Sequence, residues 1–296
     1  MAGRLARGWS MARASASVLR RYPKLVVLPM ISGTVMLLAV GVVASSLFPQ
    51  SGSWHAGASA IWDKLGADWT PLYYVALFAA LFVLSVISIF FNAALIHCAL
   101  RCHAGEEPSV RAGLAAAVSR LPQILGWALV AATVGVVLEA IQSVLKDNLG
   151  FLGSLIGGLF NIGWAALTYF VLPVLVTEGV GPITAIRRSS AILRSKWGES
   201  LAGEARFGLL GILFFLLALL VFFVGLALSL SYGPAAMAAL GPILMVLAVV
   251  FAIATMVVLQ TLGAIFQAGV FIYANTGQVP RSLDPELIEG AFRSKS

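Results

Sequence analysis

The chain is 296 residues long, 60% hydrophobic and only 10% charged, with a mean hydropathy of +0.98 and a formal net charge of +7. A soluble domain of this size cannot carry so little charge, so the composition excludes a water-soluble fold and makes the bilayer the solvent. Its apolar runs lack the alternation of barrel strands, and bare backbone groups cannot be left in lipid, so the spans are expected to be α-helical.

Six apolar runs without Lys or Arg follow one another along the chain, each matching the ~20 apolar residues that a spanning helix needs. Arg4, Arg7, Arg13, Arg20, Arg21 and Lys24 precede the first, Leu25–Phe48. That run exceeds the ~7–15 residues of a signal core, so it reads as an uncleaved helix. Pro49–Thr70 follows, bearing Trp54, Trp62 and Trp69, whose indoles suit the headgroup level. Thr70 and Pro71 supply an N-cap and a first helical residue for the second run, Leu72–Leu100. The third and fourth, Ile124–Leu145 and Phe151–Val176, are joined by the short Lys146–Gly150; the fifth and sixth, Phe207–Leu230 and Ala235–Tyr273, by Ser231–Pro234. Both connections predict tight antiparallel hairpins, and Gly153 and Gly157 have the small-xxx-small spacing that lets helices approach. Pro29 and Pro173 lie inside apolar runs and predict kinks. As one helix the last run would measure roughly 58 Å against a ~30 Å core. A break near Gly241-Pro242, a strong tilt or an extension beyond the membrane would resolve the excess. The extension is preferred, because it carries Gln260 and Gln267 to or past the interface.

All but Lys64 and Lys146 of the 19 basic residues fall on one side of these runs. By the positive-inside rule both termini are cytosolic. Each cytosolic segment ahead of a pair of runs repeats an apolar spacing of k, k+4, k+7 and k+11: Leu5/Trp9/Ala12/Ala16, Val110/Leu114/Ala117/Leu121 and Ile186/Ser190/Leu193/Trp197. At about 100° per residue each set forms one narrow face. Pro108 and Pro182 are placed to open the second and third helices. These segments read as in-plane interfacial helices, the alternative being ordinary cytosolic helices packed on the bundle. Their basic flanks make Arg7, Arg13, Arg20, Arg21, Lys24, Arg111, Arg120, Arg187, Arg188, Arg194 and Lys196 the candidate contacts for anionic lipid headgroups. The expected architecture is an all-α polytopic membrane bundle. Six transmembrane helices and three cytosolic-face amphipathic helices would form one membrane domain over residues 1–275, built of three pseudo-repeats, 1–103, 104–178 and 179–275, ahead of a cytosolic tail, 276–296.

Polar residues inside spans are costly and point to function. Glu139 is the one carboxylate well inside a run, with Gln142 a turn further on and Asn161 near mid-depth across the hairpin. Converging, the three could line a polar site for a cation or a headgroup; otherwise Glu139 reaches the interface and Asn161 is interhelical glue. His97, Cys98, Cys102 and His103 cluster at the end of the second run, but their spacing does not bring four zinc ligands to one face, and no metal or other cofactor is expected. The two thiols sit on the reducing side and should not form a disulfide. Nucleic acid is not an expected partner, because the basic residues are spread over separate segments with no zinc spacing or nucleic-acid fold signature. There is no His-Glu-x-x-His, paired intramembrane Asp, Walker loop, Gly-x-Ser-x-Gly or acidic cluster for magnesium, so no enzymatic activity is expected.

Three stretches carry a resemblance: RGWSMARASASVLRRYPKLVVLPMISG; FFNAALIHCALR followed by GEEPSVRAGLAAAVSRLPQILGWALVAATVGVVL; and VLPVLVTEGVGPITAIRRSSAILRSKWGE. Across most of its length the chain resembles an uncharacterised family of bacterial six-helix integral membrane proteins, which implies an inner-membrane location and brings no catalytic residues. At Arg21-Tyr22-Pro23-Lys24 it departs from the acidic residue expected in other members. In pattern only, it is similar to the membrane portion of some glycerophosphodiester phosphodiesterases. The expected function is a non-enzymatic membrane protein that anchors amphipathic helices at the inner leaflet and organises lipid or a protein partner. The alternative is a transporter or lipid-translocating protein using the Glu139 region.

Overall fold

A computed structural model describes residues 15–47, 71–195, 200–230 and 235–277. Among these residues all regular structure is helical. Helix α1 covers residues 15–21, and a 3-10 turn at Pro23–Val26 leads into α2 (Val27–Leu47). Then come α3 (Pro71–His103), α4 (Val110–Ser119), α5 (Leu121–Thr168), α6 (Val171–Glu178), α7 (Pro182–Ser195), α8 (Ser200–Ser229) and α9 (Ala235–Thr276). Five helical stretches are long and apolar enough to cross a membrane: Pro23–Val42, Phe78–His103, Leu121–Glu178, Gly211–Ser229 and Leu240–Thr276. Their surfaces carry large apolar side chains, with Leu37 70%, Phe151 77% and Leu213 61% exposed. That is how helices look when lipid completes the packing.

The residues form two compact units. The first spans Met1–Pro29, Cys98–Val110 and Ile192–Ser296. Its main body is α8 running antiparallel along α9. Gly225 and Gly241 let the two backbones meet, since a Cβ on Gly225 would stand 2.7 Å from the Gly241 carbonyl oxygen. Further along, Phe214 meets Phe251 edge-on with centroids 6.2 Å apart. Helix α9 passes through Pro242 without a break, about 63 Å of continuous helix. The excess length is therefore carried by one long helix. The 3-10 turn packs on α9, with Leu25 buried beneath it. Pro29 stands in the first turn of α2, where no carbonyl of that helix awaits its N–H, so it begins a helix in place of the expected kink.

The second unit spans Met30–His97 and Arg111–Ala191. Helix α5 folds back on itself at Gly150, whose φ of 55° and ψ of −124° are open to glycine and strained for other residues. The chain is helical up to Leu149 and again from Phe151, so the connection is shorter than expected. The two arms lie antiparallel in close contact. A Cβ on Gly153 would run into the Leu145 carbonyl oxygen, and one on Gly157 would stand 2.5 Å from Gln142 Cγ. At the far end of the hairpin Trp127 stacks on Trp164 at 6.1 Å.

Candidate functional site

The polar structure concentrates where the hairpin meets α6 and α7. Proline has no N–H to offer the carbonyl four residues back, and its ring crowds that carbonyl. Pro173 imposes this on Tyr169, and the helix stops at Thr168 and restarts at Val171. The kink expected at Pro173 is thus a full break. A break inside an apolar core strands backbone groups, and stranded groups are costly. Ser189 on α7 relieves two of them: its hydroxyl accepts from Phe170 N–H (3.0 Å) and donates to the Leu167 carbonyl (2.7 Å). Ser189 is 0% exposed and Phe170 1%. One side chain therefore bridges both sides of the break and ties α7 to the hairpin.

This tie sets which face of α7 is inside. Ala185, Ser189 and Leu193 are buried, while Ile186 and Ser190 are half-buried; Trp197 lies outside the described residues. The buried stripe is therefore offset from the Ile186/Ser190/Leu193/Trp197 face. The apolar spacing misplaced it because a small, doubly bonded serine packs as well as an apolar residue here. Arg187, Arg188 and Arg194 all lie exposed on the rest of the helix. Arg188 Nε stands 3.4 Å from Glu178 Oε2 at the end of α6. At such exposure that pair orients more than it stabilises.

Beside it, α6 ends at Gly179 with φ 66°, a left-handed cap. The Arg120 guanidinium lies against Gly179 so closely that a Cβ would collide with it. Gln123 Nε2 donates to the Gly179 carbonyl at 3.2 Å, which fixes the amide's orientation, and Gln123 Oε1 is buried with no partner among the described residues. Arg120 is therefore half-buried against the hairpin end, unlike the exposed Arg111. Among the described residues neither arginine side chain makes an ion pair. Arg20, Arg21 and Lys24 are exposed, with Arg21 5.6 Å from the Tyr22 ring centroid. Arg7, Arg13, Lys196 and the three tryptophans of Pro49–Thr70 lie outside the described residues.

In the first unit α3 closes on a left-handed Gly105 (φ 83°). Gly105 N–H donates to Cys102 O and Glu106 N–H to Arg101 O, a pairing that satisfies the last helical carbonyls. Arg101 and Glu106 form an ion pair across the same turn. Cys98 Sγ donates to Ser109 O at 3.4 Å. These bonds organise the turn through Ser109, so Pro108 precedes α4 and does not open it; Pro182 does open α7. His103, 3% exposed, donates from Nε2 to the Ile265 carbonyl of α9 at 2.8 Å. That nitrogen is therefore occupied by protein. Cys98 and Cys102 are buried thiols, and among the described residues no group of three His, Cys, Asp or Glu is placed to hold a metal ion.

The intramembrane trio divides. Gln142 packs against Gly157 in the seam between the arms and donates from Nε2 to Leu138 O at 3.3 Å. Glu139 and Asn161 are both exposed. Sequence reasoning missed Ser189, Gln123 and Gly179. Pro173 marked the break, but nothing in the spacing named the side chain that would cross it.

No curated protein and no solved structure matches this chain. One family model does, a family of unknown function (DUF6159) aligned to residues 71–280, and the chain belongs to that family.

Proposed function

We propose that this is a non-enzymatic integral membrane protein of the bacterial inner membrane, crossing the bilayer six times with both termini cytosolic. It holds short basic helices against anionic headgroups and so organises lipid or a protein partner at the inner leaflet. Six crossings follow if the two arms of α5 cross separately, since the fold-back at Gly150 leaves each long enough. The strong bias of basic residues to one side supports the orientation. The observation that carries the reading is α7: it is tied to the hairpin through Ser189 while Arg187 projects with no ion pair among the described residues. A tethered cationic helix beside spanning helices is suited to hold lipid phosphate, at about 1 kcal/mol per basic residue near an anionic surface.

The test uses the full chain in nanodiscs of zwitterionic lipid doped with phosphatidylglycerol. Native mass spectrometry should show phosphatidylglycerol enriched on the protein over its bulk fraction. An Arg111→Gln/Arg187→Gln/Arg194→Gln variant, changed only at exposed arginines, should lose that enrichment and its salt dependence while keeping its thermal midpoint. Equal lipid composition on wild type and variant would reject the reading.

A further inference from the structure

The face of the α5 hairpin that carries Glu139 and Asn161 has a geometry of its own. Gln142 and Gly157 meet in the seam, which sets the register of the arms. At about 100° and 1.5 Å per residue, Glu139 is turned about 60° from Gln142 and Asn161 about 40° from Gly157. Because the arms are antiparallel, both rotations lead to the same side of the seam. The steps of three and four residues away from Gly150 also leave the two side chains level to within about 2 Å. Both are exposed, and among the described residues neither makes a hydrogen bond or ion pair. Lys146, the nearest basic residue on that arm, is about 10 Å further along the axis. By the same arithmetic Ser143, Ser154, Gly158 and Ala165 turn to this side and leave room for approach beside the pair, with the exposed Val136 and Phe151 on the same side.

A carboxyl group facing hydrocarbon is costly, and membrane proteins turn such groups toward a partner. We propose that this face is covered by a second copy of the chain, the Asn161 amide of each copy donating to the Glu139 carboxyl group of the other. Two copies inserted in the same sense are related by a twofold axis along the membrane normal, and such an axis keeps every residue at its own depth. Two different residues can then pair reciprocally only if they are level. Glu139 and Asn161 are level, and one is an acceptor where the other is a donor, so the patch is complementary to itself. A lipid headgroup would have to leave the interface to supply the same donor. The inference takes its membrane setting from the six-span reading and does not depend on the lipid role proposed above.

The first measurement is native mass spectrometry of the full wild-type chain released from mild detergent, which should show a dimer. Glu139→Leu and Asn161→Ala should each raise the dimer dissociation constant roughly tenfold, since each removes two interhelical hydrogen bonds per dimer. Two tagged copies, one Glu139→Cys and one Asn161→Cys in a Cys98→Ala/Cys102→Ala background, should cross-link in native membranes under mild oxidation. The mixed disulfide should exceed either homotypic product. A monomeric wild type, a dimer unchanged by both substitutions, or a dimer lacking the 139–161 cross-link would each overturn the proposal. A failed topology assay would instead count against the six-span reading.

Discussion

The two halves of α9 are built for different surroundings. From Leu240 to Met256 only Gly241 and Ala248 are buried, whereas from Thr261 to Phe271 only Gly263 and Gln267 are not. The first stretch meets α8 through Gly241, Met245 and Phe251, leaving Ile243, Val246 and Val250 outward; the second is a packed core with a polar anchor at Ile265. The second unit repeats the contrast: the outer flanks of the α5 arms are exposed, while Phe170–Val176 and Ser189 are almost wholly buried. In a bilayer the apolar side chains of a spanning stretch gain little from leaving lipid, so protein-specific stability must come from close packing and satisfied polar groups. The large buried side chains and the cross-helix hydrogen bonds of His103 and Ser189 sit at the basic ends of the helices, while the Gly153/Gly157 and Gly225/Gly241 seams supply close packing at the other ends.

The contrast is most open to attack by paired truncations. Ile265→Ala should destabilise the first unit by about 2–5 kcal/mol, the range for emptying a buried site. Leu213→Ala, on a side chain 61% exposed, should change unfolding in detergent by less than about 0.5 kcal/mol. Equal effects would erase the distinction. Next in size is the hairpin seam, where Gly153→Val forces atoms against the Leu145 carbonyl and should cost about 3 kcal/mol. Gly163→Ala, with nothing within 4 Å of the new methyl, should be neutral or slightly stabilising. Thermal midpoints of the purified variants would decide between them.

A smaller effect sharpens the account of the break. Ser189→Ala strands Phe170 N–H and Leu167 C=O and should cost about 1–3 kcal/mol. Pro173→Ala restores an N–H for the Tyr169 carbonyl and lets the helix close, so Ser189→Ala should cost less in that background. A double-mutant cycle with coupling of about 1 kcal/mol or more is expected, and additive effects would show that the hydroxyl does not serve the break.

Much of this architecture was legible from hydropathy and the two strongest backbone signals. The apolar runs mark the long helices, Pro71 and Pro182 sit at helix starts, and the Lys146–Gly150 connection contains the glycine at which α5 reverses. Proline was read less well. Pro173 breaks a helix while Pro29 begins one, and the difference lies in position relative to a helix end that hydropathy does not locate. The site where the hairpin meets α6 and α7 was nearly invisible. Ser189 has no apolar periodicity and lies one residue from the serine that the spacing chose. Gln123 and Gly179 are 56 residues apart and meet only because the hairpin and α6 return to one place. Separating Gln142 from Glu139 required the register of the two arms, which Gly153 and Gly157 set by backbone contact.

Reporter fusions in living cells would read the six crossings: one at the C-terminal tail, one within residues 104–109 and one inserted at Gly150. Six crossings require the first two to report the cytosol and the Gly150 insertion the opposite side. A Gly150 reporter on the cytosolic side, or a 104–109 reporter outside it, would contradict six crossings with the basic segments inside.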